Sequence, residues 1–207
     1  MSTNISASVV KDLRARTGAG IMDCKDALKN CNGNLDEAID FLRKKGIAKA
    51  EKKAGRQAEQ GTVLSYIHPG NRIGVLVEVN CETDFVAKTD DFLNLARNIA
   101  MQIAATNPMS LDRDSIDQTK LEKEKEILLE QAKSSGKPES ILDKIVDGRI
   151  EKYFQENCLL EQPYIKDADK SVQDILTESI ATLGENISIA RFARFEVGDN
   201  SNLNNSQ

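Results

Sequence analysis

The first forty-five residues carry three short apolar stripes at helical spacing, each closed by a residue that a helix does not readily continue through. Val9, Val10 and Leu13 share one side of a segment that opens at Ser6 or Ser8 and ends at Gly18 and Gly20. Ile21, Cys24, Leu28 and Cys31 form the second stripe, which stops at Gly33. Asn34-x-x-Glu37 opens the third with a capping side chain and an acid that can reach back to the N–H of the cap. Its inner face is Leu35, Ala38, Ile39 and Leu42. Connections of two to four residues leave these stripes no partner but one another, so residues 1–45 are expected to form a compact three-helix module. Modules of this size mostly serve as binding units.

Residues 46–58 are Ala-rich and only weakly apolar, and read as a linker helix. Between 43 and 56 lie seven basic residues (Arg43, Lys44, Lys45, Lys49, Lys52, Lys53, Arg56) against one acid, Glu51. Such a run is either a solvated helix face or a contact strip for an acidic partner or RNA.

Beyond it the periodicity changes to two. Thr62–Ile67 and Arg72–Asn80 flank the turn signal His68-Pro-Gly-Asn, predicting an antiparallel hairpin. Ile73, Val75, Val77 and Val79 point to one face of its second strand, and Leu76, Glu78 and Asn80 to the other. Thr89 can cap a helix to about Thr106 with Phe92, Ala96, Ile99 and Ile103 buried. Further helices are predicted near 119–134 (Leu121, Lys125, Leu128, Ala132 on one line), after Lys137-Pro138 (Ile141, Leu142, Ile145, Ile150, Phe154), and over 171–183 up to Gly184. Ile187–Val197 is a last strand, and the Asn/Ser-rich stretch 199–207 is expected to be a disordered tail. The fold class is therefore α+β: a helical domain over 1–45, a linker over 46–58, and a core over 59–198 in which helices cover a small antiparallel sheet.

Several functions are disfavoured. The net charge of −5 and the lack of Trp argue against direct nucleic-acid binding, leaving an RNA module built on 43–56 as the runner-up. Four cysteines without a Cys-x-x-Cys pair and a single histidine give no zinc spacing, so neither metal nor cofactor is expected and the thiols read as reduced. His68 sits in a turn, and Thr17-Gly-Ala-Gly20 follows a helix rather than a strand, so its glycines read as a helix stop and not a phosphate loop. No catalytic residue stands out, and no enzyme is expected. No apolar run is long enough for a membrane span and no targeting signal is visible. Ile, Asn and Lys make up 51 of 207 residues, a usage that fits an AT-rich bacterial or organellar genome and hence a bacterial cytoplasm or a plastid stroma.

One segment is out of place. In Asn80-Cys-Glu-Thr-Asp-Phe-Val86 a large apolar residue, Phe85, stands beside an acid, Asp84, in a short turn between a strand and a capped helix. Phe85 is either an anchor tucked under the sheet or a projecting wedge that enters a partner, with Asp84 hydrogen-bonding beside it.

Five stretches resemble the elongation factor Ts family in order and spacing. They are Leu13-Arg-Ala-Arg-Thr-Gly-Ala-Gly-Ile-Met-Asp-Cys-Lys25, Asn80-Cys-Glu-Thr-Asp-Phe-Val-Ala87, Leu160-Glu-Gln-Pro-Tyr164, Gly184-Glu-Asn-Ile187 and Arg191-Phe-x-Arg-Phe195. The resemblance runs from about residue 5 to 198 and is to the family's short form, with one core subdomain. It implies a ubiquitin-associated-like N-terminal domain and a non-catalytic guanine nucleotide exchange factor for elongation factor Tu·GDP. In the family, the segment matching Thr83, Asp84, Phe85 and Val86 intrudes beside the magnesium site of the GTPase, magnesium coordination fails, and GDP leaves until GTP enters. Arg14, Ile21, Met22 and Lys25 match the motif that docks on the partner's nucleotide domain, with Ile21 in place of a usual Met. A short member can compensate for the missing half by pairing as a homodimer.

Overall fold

The computed structural model describes residues 5–134 and 138–199. The expected tail from 200 onward and Lys137 lie outside the described residues. The chain is α+β, with a three-stranded antiparallel sheet and a separate two-stranded one. It divides into two compact units: one holds the segment ending at Val63, Glu78–Ala96 and Asp174–Ala190, the other Leu64–Val77, Arg97–Gln173 and the segment from Arg191.

The helical stripes fold as their spacing requires. α1 (Ala7–Thr17) is capped by Ser6, which accepts from the N–H of Val9, and ends at Gly18 in the left-handed region (φ 66°). α2 (Ile21–Asn30) ends before Gly33, and α3 (Leu35–Glu51) is capped by Asn34, which accepts from the N–H groups of Asp36 and Glu37. Glu37 closes the box on the side-chain amide of Asn34 at 2.9 Å, because the backbone N–H of Asn34 already donates to Cys31. Leu13, Cys24, Ala27, Leu28, Ala38 and Leu42 form one buried cluster. Ile21, expected on the buried stripe, is exposed instead. It occupies the first position of α2, while Cys24, Ala27 and Leu28 supply the inward face.

The stretch read as a linker helix is helical only to Glu51, as the end of α3, and passes into turns from Lys52 to Arg56. Gly46 does not break α3; it keeps a helical backbone, and a Cβ there would be in ordinary contact with Ala181 Cβ at 3.4 Å.

β1 (Gln60–Ile67) and β2 (Ile73–Cys81) form the hairpin across His68–Asn71, with Gly70 and Asn71 at positive φ. Val75, Val77, Val79 and Cys81 are buried and Leu76 is exposed, which is the alternation read from the sequence. β5 (Ile187–Glu196) pairs on the other side of β2, so β1 and β5 are the sheet edges. Between them run α4 (Asp84–Ala87), α5 (Asp90–Thr106), α6 (Gln118–Ser134), α7 (Glu139–Asn157), the short hairpin β3 (Pro163–Tyr164) with β4 (Asp167–Ser171), and α8 (Val172–Leu183). Thr89 caps α5 by accepting from the N–H of Phe92, and Phe92, Ala96, Ile99 and Ile103 are fully buried. Pro138 stands at the N-cap of α7, immediately before the first helical residue, Glu139.

The Leu160–Tyr164 motif is structural. Gln162 is buried, donates to the carbonyl of Glu156 at 2.8 Å and accepts from Thr106 Oγ1 at 2.7 Å and from Gln102 Nε2 at 3.2 Å. Gln102, equally buried, also donates to Pro163 O and accepts from the N–H of Ile165. Each amide satisfies both its oxygen and its nitrogen, as a buried polar pair must.

Gly61 marks the tightest backbone approach: its φ is +150° and a Cβ there would meet Val79 O at 2.2 Å. Gly61→Ala should destabilise the chain by at least about 2 kcal/mol, measured by chemical denaturation, whereas Gly55→Ala, with open space around it, should change little.

Candidate functional site

β2 ends at Cys81, and two residues later Thr83 turns the chain into the single helical turn of α4. Thr83 is extended (φ −127°, ψ 155°), and its Oγ1 accepts from the N–H of Val86 at 3.4 Å. Phe85 is 81% exposed, the most exposed of the large apolar residues, and stands on the turn that Thr83 caps. It is therefore not tucked beneath the sheet. A four-residue helix has too little surface to bury such a ring, and the inward position is taken by Ala87.

The base of this turn is fixed from a distant part of the chain. Glu185 accepts from the N–H of Thr83 at 3.0 Å through one carboxylate oxygen and from Thr83 Oγ1 at 2.6 Å through the other. Glu82 does the converse, accepting from the N–H of Asn186 at 2.7 Å. Asn186, buried, donates its amide to Arg56 O at 2.7 Å, and Arg56 pairs with Glu82 at 3.5 Å. Adjacent residues on two segments thus exchange side-chain carboxylates for backbone N–H groups. The bond from Asn186, followed by Arg56, holds Glu82 below the usual carboxylate range. The Cys81 thiol donates to Thr83 O at 3.1 Å, and burial pushes its pKa up. Glu82 and the Gly184–Ile187 motif carry no role that spacing alone assigns. The only local signal was an acid directly after a helix-stopping glycine, Gly184 (φ 82°).

Asp84 is exposed and takes Lys88 Nζ at 2.7 Å, and this bond lowers its pKa. It is ionised at neutral pH and points toward Lys88, one helical turn on. Val86 is half-buried.

The second group of predicted residues surrounds the corner between α1 and α2. Arg14 lies in the last turn of α1, with its carbonyl accepting from Gly18. Ile21 and Met22 open α2, 56% and 67% exposed, and Lys25 follows one turn on, also exposed. The α1–α2 corner thus carries two exposed apolar side chains and two exposed cations. Between them Asp23 turns the other way and is gripped by Lys45 and Lys49, each 2.8 Å from one of its carboxylate oxygens.

That grip accounts for part of the basic run. Lys45 and Lys49 hold Asp23, Arg43 meets Asp174 at 3.6 Å, and Arg56 meets Glu82. Lys44 and Lys52 are exposed. The run is less a free strip than a set of ties between α3 and its neighbours in the same unit. Among the described residues no group of three or more His, Cys, Asp or Glu is placed to hold a metal, and no helix is long and apolar enough to cross a membrane.

Comparison with known proteins agrees with these motifs. The family model described as elongation factor TS matches residues 3–199. An elongation factor Ts of Syntrophomonas wolfei is 63% identical over 195 residues, covering 94% of this chain and 91% of that protein. One of Thermoanaerobacter sp. (strain X514) is 62% identical with 94% and 96% covered, and one of Moorella thermoacetica 58% identical with the same coverage.

The Asp23 grip predicts a pH dependence. Hydrogen bonding to Lys45, then Lys49, lowers the folded pKa of Asp23. Its stabilisation is therefore complete above the unfolded value of about 3.9 and lost as pH falls through the lowered one. Asp23→Asn should cost about 0.5–1 kcal/mol at pH 7, and melting curves taken from about pH 4 to pH 2 should show the gap to the parent chain closing.

Proposed function

The chain belongs to the elongation factor Ts family, and from that premise we propose that it acts as a guanine nucleotide exchange factor on elongation factor Tu·GDP, with Phe85 as the wedge. The observation that carries this reading is an 81% exposed phenyl ring on a turn whose base is fixed by charge-assisted hydrogen bonds. A ring held out in water on a rigid mount is a surface for insertion, since exposed large apolar groups are stabilised only by what covers them.

Thr83 caps the turn, Phe85 enters between helices of the GTPase, Val86 backs it, and Asp84 supplies a carboxylate beside it. The insertion displaces magnesium from its site in the partner, GDP leaves, and the factor stays bound until GTP enters. Arg14, Ile21, Met22 and Lys25 dock the N-terminal module on the partner's nucleotide domain. The module of residues 1–45 is taken as ubiquitin-associated-like, and residues 59–198 as the core that presents the wedge. No reaction is catalysed on the protein's own residues; the effect is thermodynamic coupling. The factor by which this chain weakens GDP binding is the factor by which GDP weakens its own binding. Burial of one phenyl ring is worth roughly 1.5–3 kcal/mol, about one to two decades in affinity. Bacterial relatives favour a bacterial cytoplasm over a plastid stroma. Direct nucleic-acid binding is disfavoured by the net charge of −5 and by the internal pairing of Lys45, Lys49, Arg43 and Arg56.

Phe85→Ala tests the wedge. Stability should change by less than about 0.5 kcal/mol, as for an exposed residue, while stimulated mant-GDP release falls about ten-fold or more. Asp84→Ala should lose less, at about 0.5–1.5 kcal/mol for one hydrogen bond. A large melting drop in Phe85→Ala with normal release defeats the reading.

A homodimer is the second part of the proposal. Ile67, Leu76, Phe195 and Val197 are all exposed, and Ile67, Ile73, Phe195 and Val197 line one shallow groove across β1, β2 and the end of β5. Ile67 leans over Gly74, whose Cβ would lie 3.1 Å from Ile67 Cδ1. A second copy, related by a two-fold axis, would cover this apolar face with the same residues of its own. Sedimentation equilibrium should give a dimer that Phe195→Asp converts to a folded monomer; a parent chain that remains monomeric at tens of micromolar overturns pairing.

A further inference from the structure

The geometry points to Glu185 as a positioning residue for the wedge: its carboxylate, through Thr83, holds the turn that carries Phe85 in its inserting conformation before any partner is met. This deepens, and rests on, the reading of Phe85 as the wedge.

Thr83 is separated from Glu185 by 102 residues, yet the two make a bidentate contact at 3.0 and 2.6 Å. Every polar group of Thr83 is occupied. The N–H and the hydroxyl donate to Glu185, the hydroxyl oxygen accepts from Val86, and the carbonyl accepts from Cys81 Sγ at 3.1 Å and from the N–H of Ala87 at 3.2 Å. The hydroxyl proton matters most. By pointing at Glu185 it turns the oxygen lone pairs toward the N–H of Val86, so the carboxylate selects the hydroxyl rotamer that caps α4. A four-residue helix cannot sustain itself, because nucleation fixes several residues for one hydrogen bond. Its persistence depends on that cap.

Glu185 is in turn oriented. It follows Gly184, which leaves α8 in the left-handed region (φ 82°), and precedes Asn186, whose N–H is held by Glu82 and whose amide is held by Arg56 O. The carboxylate is thus placed by backbone anchored on both sides. It touches neither Phe85 nor Asp84 in any hydrogen bond of the structure, and acts on them only through Thr83. Without it, the wedge would have to be ordered at the moment of binding, and that ordering would be subtracted from the insertion step.

The test uses the full chain with GDP-loaded elongation factor Tu, comparing Glu185→Ala, Glu185→Gln and Phe85→Ala. Three quantities are read: the maximal rate of mant-GDP release at saturating factor, the factor concentration giving half that rate, and hydrogen exchange of the amides in 82–89. Glu185→Ala should lower the maximal rate about ten-fold, as expected for loss of charge-assisted bonds at a preorganised site, with the half-saturating concentration changed less than about two-fold because the docking patch is intact. Protection at Thr83 and Val86 should fall in parallel. Glu185→Gln, which keeps one acceptor oxygen, should recover part of both. If Glu185→Ala retains full protection at Thr83 and Val86, or the parent maximal rate while Phe85→Ala is impaired, the positioning role is overturned and the wedge stands. If Phe85→Ala itself releases GDP normally, the wedge reading fails and this role fails with it. Should Glu185→Ala not fold, the Glu185→Gln result decides alone: parent-like rate and protection overturn the inference.

Discussion

The contact between the Glu185 carboxylate and Thr83 sets what the rest of this chain can present. An exposed aromatic ring on a free loop would collapse onto the nearest apolar surface, since burial is favourable and a loop costs little to bend. Here collapse is opposed by a mount in which the residue two before Phe85 has no unmet hydrogen-bonding group. Glu82 and Asn186 complete the arrangement with the same exchange in the opposite sense. Two loop segments are joined by charge-assisted bonds at a place where apolar packing would have consumed the ring.

The same economy of polar contacts runs through the rest of the unit. The basic run after position 42 fits in sequence either a solvated face or a strip for an acidic partner or RNA, and in the fold Arg43, Lys45, Lys49 and Arg56 of it reach Asp174, Asp23 and Glu82. Exposed pairs of this kind contribute little stability singly. Their effect is orientational: Lys45 and Lys49 draw Asp23 toward α3, so that Ile21, Met22 and Lys25 face solvent. The Arg56 carbonyl ties the chain beyond α3 to Asn186, next to the residue that holds the Thr83 turn.

Much of the fold was legible because local periodicity determined it. The stripes of the three N-terminal helices, the alternation of Val75, Val77 and Val79, and the Phe92–Ile103 stripe each repeat over enough residues to specify a face, and apart from Ile21 those faces are buried or packed partly buried against the core. Ile21 was misassigned because a stripe does not say which of its ends lies beyond the core. Gly46 reads in sequence as the edge of a separate helix because a glycine that ends a helix and one inside a longer helix look alike without the packing that sustains it. β3 and β4 are too short, at two and five residues, to show a period. At the candidate site Thr83–Val86 stand out only through their resemblance to a family, since spacing alone favours Phe85 as a buried anchor, and the structure instead exposes it. Glu185 stands inside a motif visible in the sequence, but its partner was out of reach, since nothing within a few residues of it names one 102 positions away.

An exchange factor faces a constraint that a simple binder does not. By linkage, each decade by which it weakens GDP is a decade by which GDP weakens it, so affinity placed in the wedge is returned when nucleotide rebinds. The contacts that hold the complex therefore have to be separate from the contacts that displace the ligand. Under the proposed function, the chain has that separation in its covalent order. Arg14, Ile21, Met22 and Lys25 lie in the helical module, and Thr83–Val86 follow a strand some sixty residues later. The roughly 1.5–3 kcal/mol that Phe85 forgoes by standing in water is available only because the ring is not already buried in its own protein. A ring tucked beneath the sheet would have added the same amount to folding and none of it to exchange, which is why the exposure of a single side chain carries the functional reading.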